Sequence, residues 1–448
     1  MDYDVIVVGG GPAGVVGAVT SKKYYPDKKV LLIKSVGTGV VPCGIPYMFS
    51  SLDCPDDNAL GDKPLESNGV DLAVEEVKYI DKENRSISTH DNSYVYDKLI
   101  LATGSKPIIP DIDGIHKKGI YPVYKEMNHL KSLKHDIHSS DDVVIIGGGF
   151  IGIEFADEIA NIEGKNITLV EMQPNILLNS FDNDFSEPVR EELERKGVKI
   201  LTGEEVVQFK GGERVESVVL SDGTEIPCQV AILGIGAHPN CDLADEAGLQ
   251  MGKGILVDEY LRTSEPGIFA VGDCSEKKDF FTRKRIPVML ASTACAEARI
   301  AGSNLYGIKV IRENKGTIAT YSTKVGDMTL GSAGLTEKTA RDEGFDVVVG
   351  HARSADKHPG KMPGTKMIDL KLIFSRRSEV LLGGQVSGGE SVGEMINIIG
   401  MALQKNCTIT ELETLQVATH PKLTAPPTAY PLIMASQDAL TKINEGDV

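Results

Sequence analysis

The sequence predicts an α/β chain in which two Rossmann-like dinucleotide-binding units precede a C-terminal α+β domain. Three observations carry this. A strand running into Gly-x-Gly-x-x-Gly occurs twice, each copy is followed by a helical run and a second strand, and after residue 315 the texture changes to alternating strands. With 448 residues, the chain is too long for one core, so two or three domains are expected.

The first copy is "YDVIVVGGGPAG", a β-branched run entering Gly9, Gly11 and Gly14, with Pro12 and Ala13 inside the loop. The second is "DDVVIIGGGFIG", with Gly147, Gly149 and Gly152 around Phe150 and Ile151. The strands that follow are "KKVLLIKS" and "KNITLVEM". In this context the first glycine makes the tight turn, the second lets backbone approach a pyrophosphate, and the third lets helix pack on strand. The helix N-terminus then faces the phosphates. A lone fingerprint is weak, whereas two, both opened by a strand, point to two nucleotide sites.

"YDKLILATGSKPIIP" takes a strand into Ala102, Thr103 and Gly104, and "CQVAILGIGAHPN", with Gly236, is its counterpart. Each reads as the chain returning from one unit to the next. "GILVDEYLRTSEPGIFAVGDC" reads as strand, turn, strand, then Gly272 and Asp273. That aspartate either accepts bonds from polyol hydroxyls or caps a helix. Beyond residue 315, "GTIATYSTKVGDMTLGSAGLTE" and "KMIDLKLIFSRRSEVLLGGQVSG" read as antiparallel strands. "SVGEMINIIGMALQKNCT" and "TAYPLIMASQDALTKI" read as helices.

The net charge of −17 argues against nucleic acid and anionic membranes as partners. No apolar run is long enough to span a bilayer. The first strand leaves no room for a leader, and the seven cysteines form no CxxC and no even framework, so a cytoplasmic location and no metal site are expected.

Cys43 lies in "VVPCGIPY". Pro46 fits only the first turn of a helix, which places a helix start at residue 44 or 45 and Cys43 at its cap. Free N–H groups there would lower the thiol pKa and make a nucleophile. The other reading is a buried, inert cysteine. Glu171 follows Gly152 by about 20 residues, the position that bonds a ribose 2′-hydroxyl and repels a 2′-phosphate, so NADH is expected over NADPH. For Glu154 the plain reading is a first-turn acid favoured by the helix dipole.

Together, the two fingerprints, "ATGSKP", "TSEPGIFAVGDC" and the domain order resemble the FAD- and pyridine-nucleotide-dependent disulfide reductase superfamily. The resemblance covers essentially the whole chain. It implies an FAD domain in two pieces (1–112 and 248–315), an inserted NAD(H) domain (113–247) and a C-terminal dimerisation domain (316–448). Thr38 and Met48 stand where a second redox cysteine would be, so "VVPCGIPY" is similar to the single-cysteine branch of coenzyme A disulfide and polysulfide reductases and NADH oxidases. The implied activity is NADH-dependent reduction of a low-molecular-weight disulfide or polysulfide through FAD and Cys43. The alternatives are an NADH oxidase or peroxidase, which Pro12 counts against because those enzymes usually carry a histidine in that loop, and a slow-turnover redox sensor.

The resemblance also places Glu154 near the flavin–nicotinamide junction and Phe150 where a gating aromatic is common. Lys34 stands where an acid usually holds the FAD ribose; it is either a solvated strand end or a phosphate contact. His420–Pro421 resembles the acid–base His-Pro that one subunit of a homodimer lends to the other, but the usual orienting Glu is Ala425 here. Tyr430 is the alternative proton donor. Cys54 is a possible resolving thiol, and Cys228, Cys241, Cys274, Cys295 and Cys407 read as structural. Lys22, Lys23 and Thr282 to Arg285 are candidates for a basic substrate groove, or plain basic surface.

Overall fold

The computed structural model describes residues 1–446; Asp447 and Val448, the end of the expected 316–448 unit, lie outside the described residues. The first unit starts with β1 (Asp2–Val8), α1 (Pro12–Tyr24) and β2 (Val30–Lys34), continues through β3 (Asp71–Val74), β4 (Tyr79–Asp81) and β5 (Ser86–Ser88), and ends in β6 (Ser93–Leu101). The sheet order is β3-β2-β1-β6-β5-β4, and the late strand Ile268–Ala270 pairs with β6. β1 runs parallel to β2 and β6, and Val5 to Val8 and all of β2 are buried. Strands covered on both faces need continuous apolar runs, which is why "VIVV" and "VLLI" do not alternate.

The second unit repeats the plan with β7 (Asp142–Ile146), α2 (Phe150–Ile159), β8 (Asn166–Glu171), α3 (Asn183–Arg195) and β9 (Val230–Leu233). β7 lies between β8 and β9, parallel to both. The two return segments meet: Ser105–Pro107 pairs antiparallel with Ala237–Pro239. Helix α4 (Ala291–Ser303) packs on α1, where a Cβ on Gly302 would come within 2.9 Å of the Gly17 carbonyl oxygen. Small residues therefore set the spacing of these two helices.

The C-terminal sheet comprises β10 (Tyr321–Val325), β11 (Met328–Gly334), β12 (Val347–Ala355), β13 (Met367–Ser375) and β14 (Leu381–Gly388), in the antiparallel order β10-β11-β14-β13-β12. Helix α5 (Val392–Lys405) covers β11 and β14, and α6 (Pro431–Glu445) covers β12 and β13. Val325 and Leu330 of the β10–β11 hairpin belong to the same buried cluster as Ile145, Ile153 and Phe155 of the second unit and Ile45, Met48 and Phe49 beside Cys43. One core thus ties the C-terminal hairpin and the second unit to the cysteine segment.

One expectation fails, and one strand goes unpredicted. "GILVDEY" is no strand: Ile255 makes isolated bridges with Met251 and Ser275 before the chain turns at Leu261, whose φ is 66°. β12 was not expected, because "VVVGHARSA" alternates only in its second half while its first four residues are all buried.

Candidate functional site

The glycine loops have the geometry their spacing requires. Gly9 has φ of 119°, and a Cβ there would sit 2.1 Å from the Ala102 carbonyl oxygen. A Cβ on Gly14 would sit 1.9 Å from the Gly9 carbonyl oxygen, whereas Gly11 has nothing within 4 Å. The second loop repeats this: Gly152 would meet the Gly147 oxygen at 1.9 Å, and Gly149 is open. The outer glycines are packing constraints, and the middle one leaves room for an incoming phosphate. Gly11 and Gly149 are also the N-caps of α1 and α2, with no side chain bonded to the free N–H groups. Both loops therefore fit a dinucleotide.

They open into one cavity of about 3030 Å³, also lined by Cys43, Ala102, Thr103, Gly104, Glu154, Gly236 and Asp273. That is several times the 300–1,000 Å³ of a single-ligand pocket, as two dinucleotides and a substrate demand. Asp273 follows Gly272 in a single 3₁₀ turn and accepts a 2.8 Å bond from Ser105 Oγ and a 3.2 Å contact from Lys125 Nζ. Behind it, the buried Lys277–Glu297 pair holds the Gly272 carbonyl and N–H. The Thr103 hydroxyl donates to the Asn240 carbonyl at 2.6 Å, so it ties the two return segments together.

Lys34 is not a solvated strand end. It is buried, with Nζ 2.7 and 2.8 Å from the Asp62 oxygens and 2.8 Å from the Gly37 carbonyl. Its ammonium is committed to protein acceptors while its methylenes lie over Gly10. Glu171, at the end of β8, accepts from the Gly148 N–H at 2.6 Å and the Gln173 N–H at 2.8 Å, which orients it on the second glycine loop. Glu204 and Glu205 line the cavity too, and the Glu204 N–H bonds the Glu171 carbonyl.

Around Cys43 the structure corrects the sequence. Pro42–Gly44 and Pro46–Met48 are separate 3₁₀ turns, not one α-helix, because each proline starts its own turn. Such turns supply no macrodipole. The thiol opens onto the cavity, yet its pKa is pushed up, first by the enclosing protein and then by the Glu154 and Asp273 carboxylates, with Lys125 opposing. The segment is clamped by Asn58, which bonds Val41 through backbone and side chain and leaves no room for a Cβ on Gly44. Cys54 is exposed and not among the cavity-lining residues, and all seven cysteines are free.

Glu154 is not a first-turn acid; it lies one turn further along α2. Burial lifts its carboxyl to about 7, with Asp157 and Glu158 adding to the rise, while a 2.7 Å bond from Thr323 Oγ1 opposes it. Phe150 lines the cavity and stacks on Tyr321 with centroids 4.9 Å apart. Ile151 lines the cavity beside it.

His420 and Tyr430 are not brought to Cys43 within one chain. His420 is exposed, accepting at Nδ1 from the Lys422 N–H at 3.3 Å. Tyr430 is buried in the C-terminal core, which pushes its phenol up. Most of the basic candidates are spent on the protein, Lys22 on the Pro26 and Lys28 carbonyls, Arg283 on Lys315, Lys284 on Glu343 and Arg285 on Glu276, while Lys23 is exposed. Ser105, Lys125, Tyr321 and Thr323 also build the site and were not among the sequence candidates. Only Ser105 had a local signal, its place in "ATGS"; the others come from distant segments.

Residues 3–298 match the family model described as pyridine nucleotide-disulphide oxidoreductase, and residues 320–430 match its dimerisation domain. The chain is 32% identical over 454 residues to an NADH oxidase of Methanocaldococcus jannaschii, covering 98% of this chain and 99% of the relative. It is 32% identical over 400 residues to an NAD(P)H coenzyme A polysulfide/persulfide reductase of Pyrococcus horikoshii, covering 87% and 88%. The solved structure of an NAD-dependent persulfide reductase from A. fulgidus superposes with a TM-score of 0.90 at 28% identity, covering 99% of this chain and 84% of that one.

Proposed function

The chain belongs to the pyridine nucleotide-disulphide oxidoreductase family and is an FAD-dependent NAD(P)H oxidoreductase; on that premise we propose that it takes electrons from NADH and reduces a low-molecular-weight disulfide or polysulfide through one redox-active cysteine, Cys43. The observation that carries this reading is a lone free thiol on the wall of the cavity that both glycine loops share. When bound, FAD supplies the two-electron path between nicotinamide and sulfur.

The chain's own residues do the rest. The Cys43 thiolate attacks one sulfur of the substrate, forms a mixed disulfide and expels the first thiolate. Cleavage of that bond by the two electrons from NADH frees the second thiol. The sum is NADH + H⁺ + RSSR → NAD⁺ + 2 RSH, so each turnover takes up one proton beyond the hydride. Glu154, lifted to about 7, is able to hold that proton near neutral pH. Glu171, with Glu204 and Glu205 beside it, favours a ribose hydroxyl over a 2′-phosphate, which supports NADH as donor. The dimerisation domain supports a homodimer, and the exposed His420 loop supports a site shared across it.

The M. jannaschii relative favours a second reading, in which oxygen or peroxide is the acceptor and the thiol cycles through a sulfenic acid. One experiment separates the two. The protein is reduced anaerobically with NADH or NADPH, then mixed with disulfides, polysulfide, peroxide or oxygen. Reduction should be faster with NADH, and reoxidation fastest with a sulfur substrate. Cys43→Ser should still be reduced by NADH but lose disulfide turnover by ~10³-fold or more. Wild-type disulfide turnover in that variant would end the proposal, and fastest reoxidation by oxygen or peroxide would select the second reading.

A further inference from the structure

The β10–β11 hairpin of the C-terminal domain meets α2 of the nucleotide unit at three matched points. On α2, Phe150, Glu154 and Asp157 follow at i, i+4 and i+7 and so share one face. Opposite them, Tyr321 stacks on Phe150, Thr323 Oγ1 donates to Glu154 Oε1 at 2.7 Å, and the Gly326 N–H donates to Asp157 Oδ1 at 3.0 Å. Tyr321 and Thr323 are two apart on β10, on one side of the strand. The Glu154 carboxyl is therefore held by a different domain from the one that carries it.

We propose that Thr323 is a positioning residue for Glu154: its hydroxyl fixes one carboxylate oxygen, leaving the other to the cavity, and so makes the C-terminal domain part of the acid–base site. The inference rests on the proposed thiol chemistry and adds one step to it: Glu154 takes up the proton that Cys43 gives up on becoming a thiolate and returns it to the departing thiolate.

The groups around Glu154 fit this role. From its own helix, Asp157 and Glu158 oppose its ionisation, though Asp157 is paired with Lys196 and Glu158 is bonded to Ser51. From the turns before α2, Cys43 and Tyr47 feel its charge. From β10 comes Thr323, whose hydrogen bond favours the ionised carboxylate. Removing it should leave the acid harder to ionise.

The test is an infrared titration of the protonated carboxyl band of the FAD-bound protein without substrate, the band being assigned by its loss in Glu154→Gln. Thr323→Val and Thr323→Ala should move its midpoint upward by about one pH unit. Thr323→Ser, which keeps the hydroxyl, should restore it. The matching limb of kcat/KM against pH for disulfide turnover should move in parallel. A midpoint unchanged in Thr323→Val, or shifted as far in Thr323→Ser, overturns the proposal. A shifted midpoint in a protein that turns over no disulfide supports the role of Thr323 and sinks the substrate reading alone.

Discussion

The carboxyl of Glu154 is raised from 4.5 to about 7, chiefly by burial. A glutamate in the unfolded chain ionises at the lower value, so between these two pH values the unfolded state binds fewer protons than the fold. Stability therefore falls as pH climbs through that window and levels off above it, the ionised buried form costing about 3 kcal/mol. Glu154→Gln removes this term. The variant should melt higher than the parent at pH 8 and show little of that gain at pH 4.5. An equal gain at both values would mean that packing, not ionisation, accounts for it. Cys43 obeys the same electrostatics: the Glu154 carboxylate helps to hold its thiol up, and Lys125 pulls it down.

The two glycine-loop elements share one backbone solution, and that makes them separable by experiment. Gly14 and Gly152 each place a would-be Cβ 1.9 Å from a carbonyl oxygen of their own loop. Backbone cannot yield there as a flexible side chain would, and such overpacking costs about 1–3 kcal/mol locally. Gly14→Ala should lower FAD content while NADH binding survives. Gly152→Ala should keep FAD but weaken NADH binding by ~10-fold or more. Loss of both nucleotides in either variant would show that the two loops do not fold independently. These elements were legible in the sequence because local spacing dictates them, as were Asp273 and Glu171 at their strand ends. The thiol's surroundings were not. Pro46 suggested a helix cap, but Pro42 two residues before Gly44 begins a separate 3₁₀ turn. Lys125 and Thr323 reach the site from segments far along the chain, so no window of sequence could show them.

At the scale of the whole molecule, the unused acid–base candidates matter most. His420 sits on an exposed loop, held by Thr424 and by the backbone bond from His358 to Pro421, and it does not line the cavity of its own chain. On α5, Ile398 and Met401 are exposed apolar residues, and Leu423 is exposed on the His420 loop. A two-fold dimer that covers such surface would pair like with like and could carry each His420 toward the other chain's cavity. Hybrid dimers decide this. Chains bearing Cys43→Ser and chains bearing His420→Ala are each expected to be nearly inactive as homodimers. If His420 serves across the interface, a hybrid contains one site with both groups intact and one with neither. Random mixing makes half of the dimers hybrids with half of their sites active, so about a quarter of wild-type activity should return. If the histidine acts within its own chain, no hybrid site is complete and activity stays at the background of the two parents. If His420→Ala homodimers keep full activity, the histidine is a loop residue, and Glu154 alone serves both departing thiolates.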